Sequence, residues 1–252
     1  KDVKEASKLA STSSAFLAGG MTTIPSMKLG LATYKDVIDI KHIKRLSGIK
    51  VSGKSVTIGA TTKHVEVSNS KDVQKAIPSL AKLAGGIGDA QVRNRGTVGG
   101  SIANNDPSAC YPSACMALNA IIHTNDRKIE AAKFFKGMFE TALKKGELIE
   151  AVEFQIPEKS NYQKHPNPAS RYAIVGVYIA KHKKEVNVAV TGAKSSVYID
   201  KDLSKKLSSS FSSSAIDGME LDSSEMNSDI HASGEFRASL VLTYAKKAVE
   251  AC

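Results

Sequence analysis

The chain has 252 residues, of which 42% are hydrophobic and 24% charged, enough for one large domain or two modest ones. No apolar run approaches the roughly 18 residues that a membrane-spanning helix needs, so the sequence predicts no membrane span. The net charge is +10, but the lysines are scattered, Trp is absent and aromatic residues make up only 6%. This pattern argues against a nucleic-acid-binding protein. It favours a lysine-rich solvated surface and leaves open a basic face toward an acidic partner subunit.

Cysteine and histidine usage limits the redox and metal chemistry of the chain. The chain has three cysteines, Cys110, Cys115 and Cys252, and their spacing does not fit a disulfide framework. An iron–sulfur cluster held by the protein usually needs about four thiolates, so we expect none here. The histidines show no metal-binding spacing, so we expect no metal site. The first residues are charged and show no targeting segment, which together with the cysteine usage predicts a cytoplasmic protein.

Short apolar and alternating runs predict mixed helices and strands in the first part of the chain. The predicted elements are a helix at 2–10, strands at 15–18 and 37–40, a hairpin of 49–52 and 55–59, a helix at 78–84 and a strand at 147–156. The apolar run 114–122 fits either a helix or a strand.

The second part of the chain begins after a polar stretch with three prolines, residues 157–170, which predicts a linker. Two apolar runs at 173–180 and 185–190 then predict a hairpin. The serine-rich run 208–214 predicts a surface loop, and residues 235–250 have helical spacing. The chain is therefore expected to divide into a larger N-terminal part and a smaller α+β C-terminal part.

Two glycine-rich segments carry the strongest functional signal: residues 18–23 (Ala-Gly-Gly-Met-Thr-Thr) and residues 97–104 (Thr-Val-Gly-Gly-Ser-Ile-Ala-Asn). Glycine permits close approach of the backbone to a ligand, and successive N–H groups in such turns form concave anion sites. Either segment alone fits an ordinary glycine turn. Two of them predict that two parts of the fold close on one extended, phosphate-bearing cofactor.

The second segment lies within a long polar stretch, residues 85–106, that predicts a functional loop. Two arginines precede the glycines. Arg93 and Arg95 either neutralise phosphates or brace the loop by pairing with Asp89 or Asp106, and the sequence does not decide between these alternatives.

Four stretches resemble a known family. Residues 18–29 and 87–107 resemble the two FAD loops of the flavoprotein subunits of molybdenum hydroxylases, and residues 171–177 and 228–237 also match. These subunits are the medium chains of aerobic carbon monoxide dehydrogenase and its relatives, and they are related to the central domain of xanthine dehydrogenase. The resemblance covers nearly the whole chain.

The resemblance implies an α+β fold in two domains. Residues 1–157 are expected to form a two-lobed FAD-binding domain of the p-cresol methylhydroxylase (PCMH) type, with lobes at about 1–53 and 54–157. Residues 165–252 are expected to form a C-terminal domain of the carbon monoxide dehydrogenase flavoprotein type, with a small antiparallel sheet and helices.

The resemblance also implies FAD as the cofactor and a set of residues that hold it. The first loop holds the pyrophosphate through backbone amides, and the second contacts pyrophosphate, ribityl chain and flavin. Tyr172 covers one flavin face, and Leu148 touches the ring or the ribityl chain. The implied residues are Leu17, Ala18, Gly19, Gly20, Met21, Thr22, Thr23, Ile24, Thr97, Gly99, Gly100, Ser101, Asn104, Asp106, Cys110, Leu148 and Tyr172.

Two positions depart from the family pattern. Met21 stands where relatives often have a polar residue, which matters little if the contact is through the backbone. Cys110 stands where relatives often have an aspartate that binds the ribityl chain, so Ser108 or Asp106 is expected to replace that contact.

The implied function is an electron relay. Substrate is oxidised at a molybdenum cofactor in a large subunit, and electrons pass through the [2Fe–2S] clusters of a small subunit to this FAD and then to an external acceptor. The implied assembly is a dimer of heterotrimers, and this chain supplies no catalytic acid, base or nucleophile. Two alternatives remain, a self-standing flavin oxidoreductase of the same fold and a non-redox module that binds an anion or a subunit. The substrate and the acceptor are not readable from the sequence.

Overall fold

The computed structural model describes residues 2–252, in which helices and strands are interspersed along the chain. The α-helices are α1 (Val3–Leu9), α2 (Thr23–Lys28), α3 (His64–Asn69), α4 (Lys71–Ala76), α5 (Pro78–Gly85), α6 (Ala90–Arg95), α7 (Val98–Asn104), α8 (Tyr111–Ala117), α9 (Ala131–Phe134), α10 (Lys201–Ser209) and α11 (Gly234–Glu250). The strands are β1 (Ser14–Leu17), β2 (Asp36–Asp39), β3 (Ile49–Ser52), β4 (Ser55–Gly59), β5 (Ile121–Thr124), β6 (Lys128–Glu130), β7 (Phe135–Gly137), β8 (Glu140–Thr141), β9 (Ile149–Gln155), β10 (Lys159–Pro166), β11 (Ala173–His182), β12 (Glu185–Thr191) and β13 (Tyr198–Ile199). Short 3₁₀-helices span Lys44–Leu46 and Ser213–Ile216.

The first lobe is built on a two-stranded parallel sheet in which β1 pairs with β2. Helix α1 forms where predicted, and the Asp2 carboxylate caps it by accepting a 2.8 Å hydrogen bond from the Glu5 amide. The buried members of this lobe's core are Val3, Ala6, Ile38, Ile40, Ile43, Leu46 and Leu148. Because Leu148 lies far along the chain, this small core joins the first lobe to the second.

The second lobe contains a five-stranded antiparallel sheet in the order β3-β4-β9-β5-β6. Because β3 (Ile49–Ser52) belongs to this sheet, the second lobe begins before the predicted boundary at about residue 53. The predicted hairpin is confirmed: Ile49 pairs with Ile58, and Gly53 takes a positive φ of 58° in its turn. The ambiguous run 114–122 contains both the end of α8 and the start of β5. Helices α3 to α8 connect β4 to β5 along the chain.

The C-terminal part has a four-stranded antiparallel sheet in the order β10-β11-β12-β13. One face, which includes Val177 and Val188, packs with α10 and α11 in its own core. The opposite face, which includes Tyr178 and Ala189, joins the core of the second lobe. The buried sheet therefore attaches the C-terminal part firmly to the rest of the molecule.

The stretch predicted as a linker is a strand. Residues 159–166 form β10, which pairs with β11 until the register shifts at His165 and Pro166. Its mixed polar residues fit an edge strand, and the prolines lie just before it and at its last residue, where no ladder N–H is needed. The linker prediction was therefore wrong, whereas the division into two domains stays a prediction.

The serine-rich run is also more regular than predicted. Ser208 and Ser209 end α10, where their hydroxyls donate to the carbonyls of Ser204 (2.7 Å) and Lys205 (3.1 Å). Leu203 and Leu207 anchor this helix in the C-terminal core. The predicted α+β class with antiparallel sheets is confirmed. Within residues 2–252, no helix is long and apolar enough to cross a membrane.

Candidate cofactor-binding site

The two glycine-rich segments meet where the two lobes join. The first leaves β1 and enters α2, and the second forms the turn after α6 and the start of α7. Gly19 lies so close to the backbone of Arg95 and Gly96 that an added Cβ would overlap the Arg95 carbonyl and lie 3.0 Å from the Gly96 Cα. Glycine at position 19 permits this approach, which brings the segments side by side as the sequence predicts.

Both segments line one cavity of about 420 Å³, a volume typical of small-molecule sites. The lining contains every residue that the sequence implied for the cofactor except Leu17 and Ile24. These two side chains pack around Gly20 instead: an added Cβ there would lie 2.6 Å from Ile24 Cδ1 and 3.3 Å from Leu17 Cδ1. The structure therefore does not bring Leu17 and Ile24 to the cavity.

The first segment presents a run of unpaired backbone donors. Residues 19–23 line the cavity, and their five N–H groups have no hydrogen-bond acceptor within residues 2–252. Gly20 has a φ of +75°, and such left-handed residues turn neighbouring N–H groups toward a common anion site. Within the same described residues, the Thr22 and Thr23 hydroxyls also have no partner. This segment is chemically suited to a phosphate.

The second segment is different, because its backbone donors are already paired. The predicted loop 85–106 folds largely as α6 and α7, with Thr97 as the cap of α7. The N–H groups of Val98 and Gly99 donate to the carbonyls of Thr62 (3.1 Å) and Ala60 (2.8 Å), and that of Gly100 donates to the Thr97 hydroxyl (3.2 Å). These amides are not available to an anion, so the expectation of a second amide cradle was wrong.

What the second segment offers the cavity is side chains. Ser101 and Asn104 lie three residues apart on one face of α7, line the cavity, and have no side-chain hydrogen bond within residues 2–252. Asp106 follows, where burial raises its pKa and the hydrogen bond from the Ser108 amide partly offsets that effect. Burial and the nearby Asp106 carboxylate raise the pKa of Tyr172 at the edge of the cavity. These groups suit a polyhydroxyl chain.

The remaining wall is largely apolar, and sequence reasoning found only Leu148 in it. The other apolar members include Phe16, Ile40, Ile87, Val92, Leu143 and Ile149. Leu148 is held by two backbone contacts to the turn between β5 and β6: its N–H donates to Asn125 Oδ1 (2.8 Å), and its carbonyl accepts from the Asn125 N–H (3.2 Å). Apolar residues that lie far apart in the sequence carry no local signal that they share a cavity.

Glu147 is a charged lining residue that the sequence analysis missed. Its side chain is only 2% exposed, and its carboxylate accepts from Arg127 Nε (2.9 Å), Arg127 Nη2 (3.0 Å), the Thr124 hydroxyl (2.8 Å) and the Lys144 amide (2.8 Å). Burial raises its pKa, but the bonds from Arg127, Lys144 and Thr124 outweigh this and lower the pKa to about 2. Glu147 is therefore an ionised, fully bonded part of the wall.

His64 is a second missed lining residue. It is buried against the Tyr111 ring, with ring centroids 5.3 Å apart. Burial lowers its pKa to about 4, and the positive charge of Arg93 adds to this effect, so the imidazole is neutral near pH 7. The backbone N–H of His64 donates to the Gly96 carbonyl (3.0 Å), which ties α3 to the turn that contacts Gly19.

The structure decides one question that the sequence left open. Arg93 braces the turn before α6 by donating to the carbonyls of Ile87 (3.0 Å) and Gly88 (2.9 Å), rather than to Asp89 or Asp106. Asp89 instead caps α6 by accepting from the Val92 amide (2.8 Å). Arg93 therefore braces the loop, but through backbone carbonyls instead of a carboxylate.

Cys110 lines the cavity in place of the aspartate of relatives, and it is 5% exposed. Its sulfur lies 3.6 Å from Lys164 Nζ, which also donates to the carbonyls of Gly86 and Arg171 at 2.8 Å. Lys164 therefore links the C-terminal sheet to the turn before α6. The chain from residue 2 to residue 252 contains no cluster of His, Cys, Asp and Glu that could hold a metal ion, so the structure offers no support for a metal site.

Comparison with known proteins identifies the family. Residues 1–158 match the family described as the FAD binding domain in molybdopterin dehydrogenase. The chain belongs to this family. Its cofactor is therefore FAD.

Individual relatives agree with the family assignment. The glyceraldehyde dehydrogenase medium chain of Sulfolobus acidocaldarius is 36% identical over 65% of this chain, and the match spans only 60% of that relative's length. The nicotine 6-hydroxylase medium subunit of Paenarthrobacter nicotinovorans is 30% identical over 98% of this chain and 93% of its own length. A chain of reconstituted CO dehydrogenase from Oligotropha carboxidovorans superimposes with a TM-score of 0.90 at 26% identity, covering 99% of this chain and 94% of that chain. The α+β fold class that the sequence resemblance implied is confirmed, and the domain boundaries stay a prediction.

Proposed function

We propose that this FAD subunit relays electrons within a multi-subunit molybdenum hydroxylase, from the [2Fe–2S] clusters of a small subunit to an external acceptor. The observation that carries this proposal is the cavity at the lobe junction. Within residues 2–252, the five amides of residues 19–23 on one side of the cavity have no acceptor, several hydroxyl and amide side chains elsewhere have no partner, and the remaining wall is apolar. These match in turn the diphosphate, the ribityl chain and the ring system of FAD.

Each part of the cavity is assigned one task. The N–H groups of residues 19–23 bind the diphosphate, assisted by the hydroxyls of Thr22 and Thr23. Ser101 and Asn104 bind ribityl hydroxyls, and Asp106 and Cys110 line the adjoining part of the cavity. Leu148 and the apolar wall exclude water from the ring, and Tyr172 covers one of its faces. FAD, when bound, supplies the ability to accept and release electrons one or two at a time.

Two of the titratable groups that line the cavity, His64 and Glu147, are not suited to acid–base catalysis. His64 is neutral near pH 7, and Glu147 stays ionised because Arg127 is bonded to it. Neither group has a pKa near neutrality, where a general acid or base works best. In this proposal, substrate oxidation takes place on a partner subunit that carries the molybdenum cofactor.

The assembly is proposed from the relatives. Two of them are named as a medium chain and a medium subunit, which supports a large and a small partner for this chain as well. We propose a dimer of heterotrimers in the cytoplasm, with no nucleic-acid partner. The net charge of +10 fits contact with acidic partner surfaces. The names of the relatives cover several substrates, so no substrate is assigned.

The test begins with FAD. The purified chain is mixed with FAD, passed through gel filtration and scanned in the visible range, where we expect flavin bands at a ratio near one FAD per chain. A tagged chain purified from its native host should then co-purify with molybdenum and iron at fixed ratios to the chain. Flavin bands without molybdenum or iron would overturn the relay and favour a self-standing oxidoreductase. Absence of flavin would overturn both.

A further inference from the structure

The cavity wall at residues 147–149 depends on a turn that does not line the cavity. The wall belongs to the segment that leads into β9, and Glu147, Leu148 and Ile149 all face the cavity. The turn consists of residues 125–127, between β5 and β6. Neither Asn125 nor Arg127 is among the lining residues, yet both bond directly to the wall.

Asn125 fixes the backbone of Leu148. Its Oδ1 accepts the Leu148 N–H at 2.8 Å, and its own N–H donates to the Leu148 carbonyl at 3.2 Å. Both polar backbone groups of Leu148 are therefore paired with one residue. Its side-chain amide also donates to the Ser7 hydroxyl (3.3 Å), and that hydroxyl donates to the Gly146 carbonyl (2.7 Å). The same asparagine thus connects the wall to α1.

Arg127 fixes the side chain of Glu147. Its Nε and Nη2 bond to the two carboxylate oxygens at 2.9 and 3.0 Å, a bidentate geometry. Nη2 also donates to the Ala142 carbonyl at 2.6 Å, so the guanidinium holds the segment at two points. Loss of Arg127 would leave a nearly buried carboxylate without its cation, which is costly and would drive the wall to rearrange.

We propose that Asn125 and Arg127 are positioning residues for the flavin, acting through Leu148 and Glu147 to set the apolar wall of the cofactor cavity. This inference rests on the proposed binding of FAD in that cavity. It assigns the turn at residues 125–127 a role in the affinity and surroundings of the flavin, although the turn itself makes no contact with the ligand.

The test compares Arg127→Met with the matched change Arg45→Met. Arg45 also pairs with a glutamate, Glu150, but this pair lies outside the cavity lining and Arg45 is exposed. We expect Arg127→Met to weaken FAD binding about tenfold or more, measured by quenching of flavin fluorescence, and to change the visible circular dichroism of the bound flavin. Arg45→Met should leave both unchanged.

Two further variants separate positioning from loss of folding. Adding Glu147→Gln to Arg127→Met removes the buried carboxylate that has lost its cation. We expect the double variant to recover part of the lost affinity for FAD. Asn125→Ala should weaken binding and shift the visible circular dichroism, whereas Asn125→Asp keeps the acceptor for the Leu148 amide and should restore both. Because Asn125 is exposed at a turn, its variants remain testable if Arg127→Met does not fold.

The outcomes distinguish this inference from the proposed function. If the unaltered chain binds FAD while Arg127→Met and Asn125→Ala bind it with unchanged affinity and circular dichroism, the positioning role is wrong and the proposed function stands. If Arg127→Met does not fold and Asn125→Ala is like the unaltered chain, the positioning role is also wrong. If the unaltered chain takes up no FAD, both fail.

Discussion

The N–H of Gly99 donates a 2.8 Å hydrogen bond to the carbonyl of Ala60, and an added Cβ on Gly99 would lie 2.5 Å from the Ala60 Cβ. This contact holds the start of α7 against the end of β4. The glycine at position 99 is therefore required by packing within the protein, and the Gly99 amide is not free to bind a phosphate.

Gly99→Ala is accordingly expected to destabilise the protein without its cofactor. Overpacking of this kind costs about 1–3 kcal/mol in the free energy of unfolding. Urea unfolding of FAD-free protein, followed by circular dichroism, measures the change. An FAD-free stability equal to that of the unaltered chain would show that the Gly99–Ala60 contact is looser than described.

Gly20→Ala is expected to act on FAD binding, with Gly30→Ala as its matched control. Both glycines have positive φ, +75° and +70°, so both substitutions carry a similar backbone strain of about 1–2 kcal/mol. An added Cβ at Gly20 meets the Ile24 side chain, whereas one at Gly30 meets nothing within 4 Å. We expect Gly20→Ala to weaken FAD binding about tenfold or more in a fluorescence titration, and Gly30→Ala to leave it unchanged. Equal affinities for the two variants would contradict the role of residues 19–23.

The lowered pKa of Glu147 predicts that the folded protein loses stability in acid. Its pKa is about 2 in the folded protein, below its ordinary value of 4.5, so its contribution is present above pH 4.5 and is lost as the pH falls toward 2. The contribution is on the order of 3 kcal/mol. We expect Glu147→Gln to lower the free energy of unfolding at pH 7 and to flatten its decline between pH 5 and 3. A parallel decline in both proteins would show that Glu147 does not titrate as described.

Cys110→Ser is expected to retain FAD. The sulfur contacts Lys164 at 3.6 Å, and a serine hydroxyl keeps a small polar group there. We expect the affinity for FAD to change by less than about threefold, with an unchanged flavin-to-protein ratio. A loss of flavin from this variant would mean that the thiol has a role that serine does not replace.

The sequence anticipates those parts of the site whose signals are local. The first glycine segment is recognisable because its glycines, threonines and preceding strand are adjacent in the chain, and within residues 2–252 its amides have no acceptor. The second segment contains the same residue types, but its amides are paired with Ala60 and Thr62, which lie far away in the sequence. No local pattern reveals an acceptor supplied by another strand.

Glu147 and His64 line the cavity because of contacts between distant parts of the chain, which no local pattern reveals. Bonds from Arg127, Thr124 and the Lys144 amide fix the Glu147 carboxylate. His64 lies beside the cavity because the start of α3 pairs with Thr97, the cap of α7. The sequence of strand β10 gives no strand signal, because an edge strand with one polar face lacks a hydrophobic run. In each case tertiary contacts, rather than residue type, decide the outcome.

The measurement closest to the central claim is a crystal structure of the chain with FAD. It is expected to show the diphosphate oxygens accepting hydrogen bonds from the N–H groups of residues 19–23, while the amides of Val98, Gly99 and Gly100 keep their bonds within the protein. A diphosphate held away from residues 19–23, or bound by the amides of α7, would contradict the account.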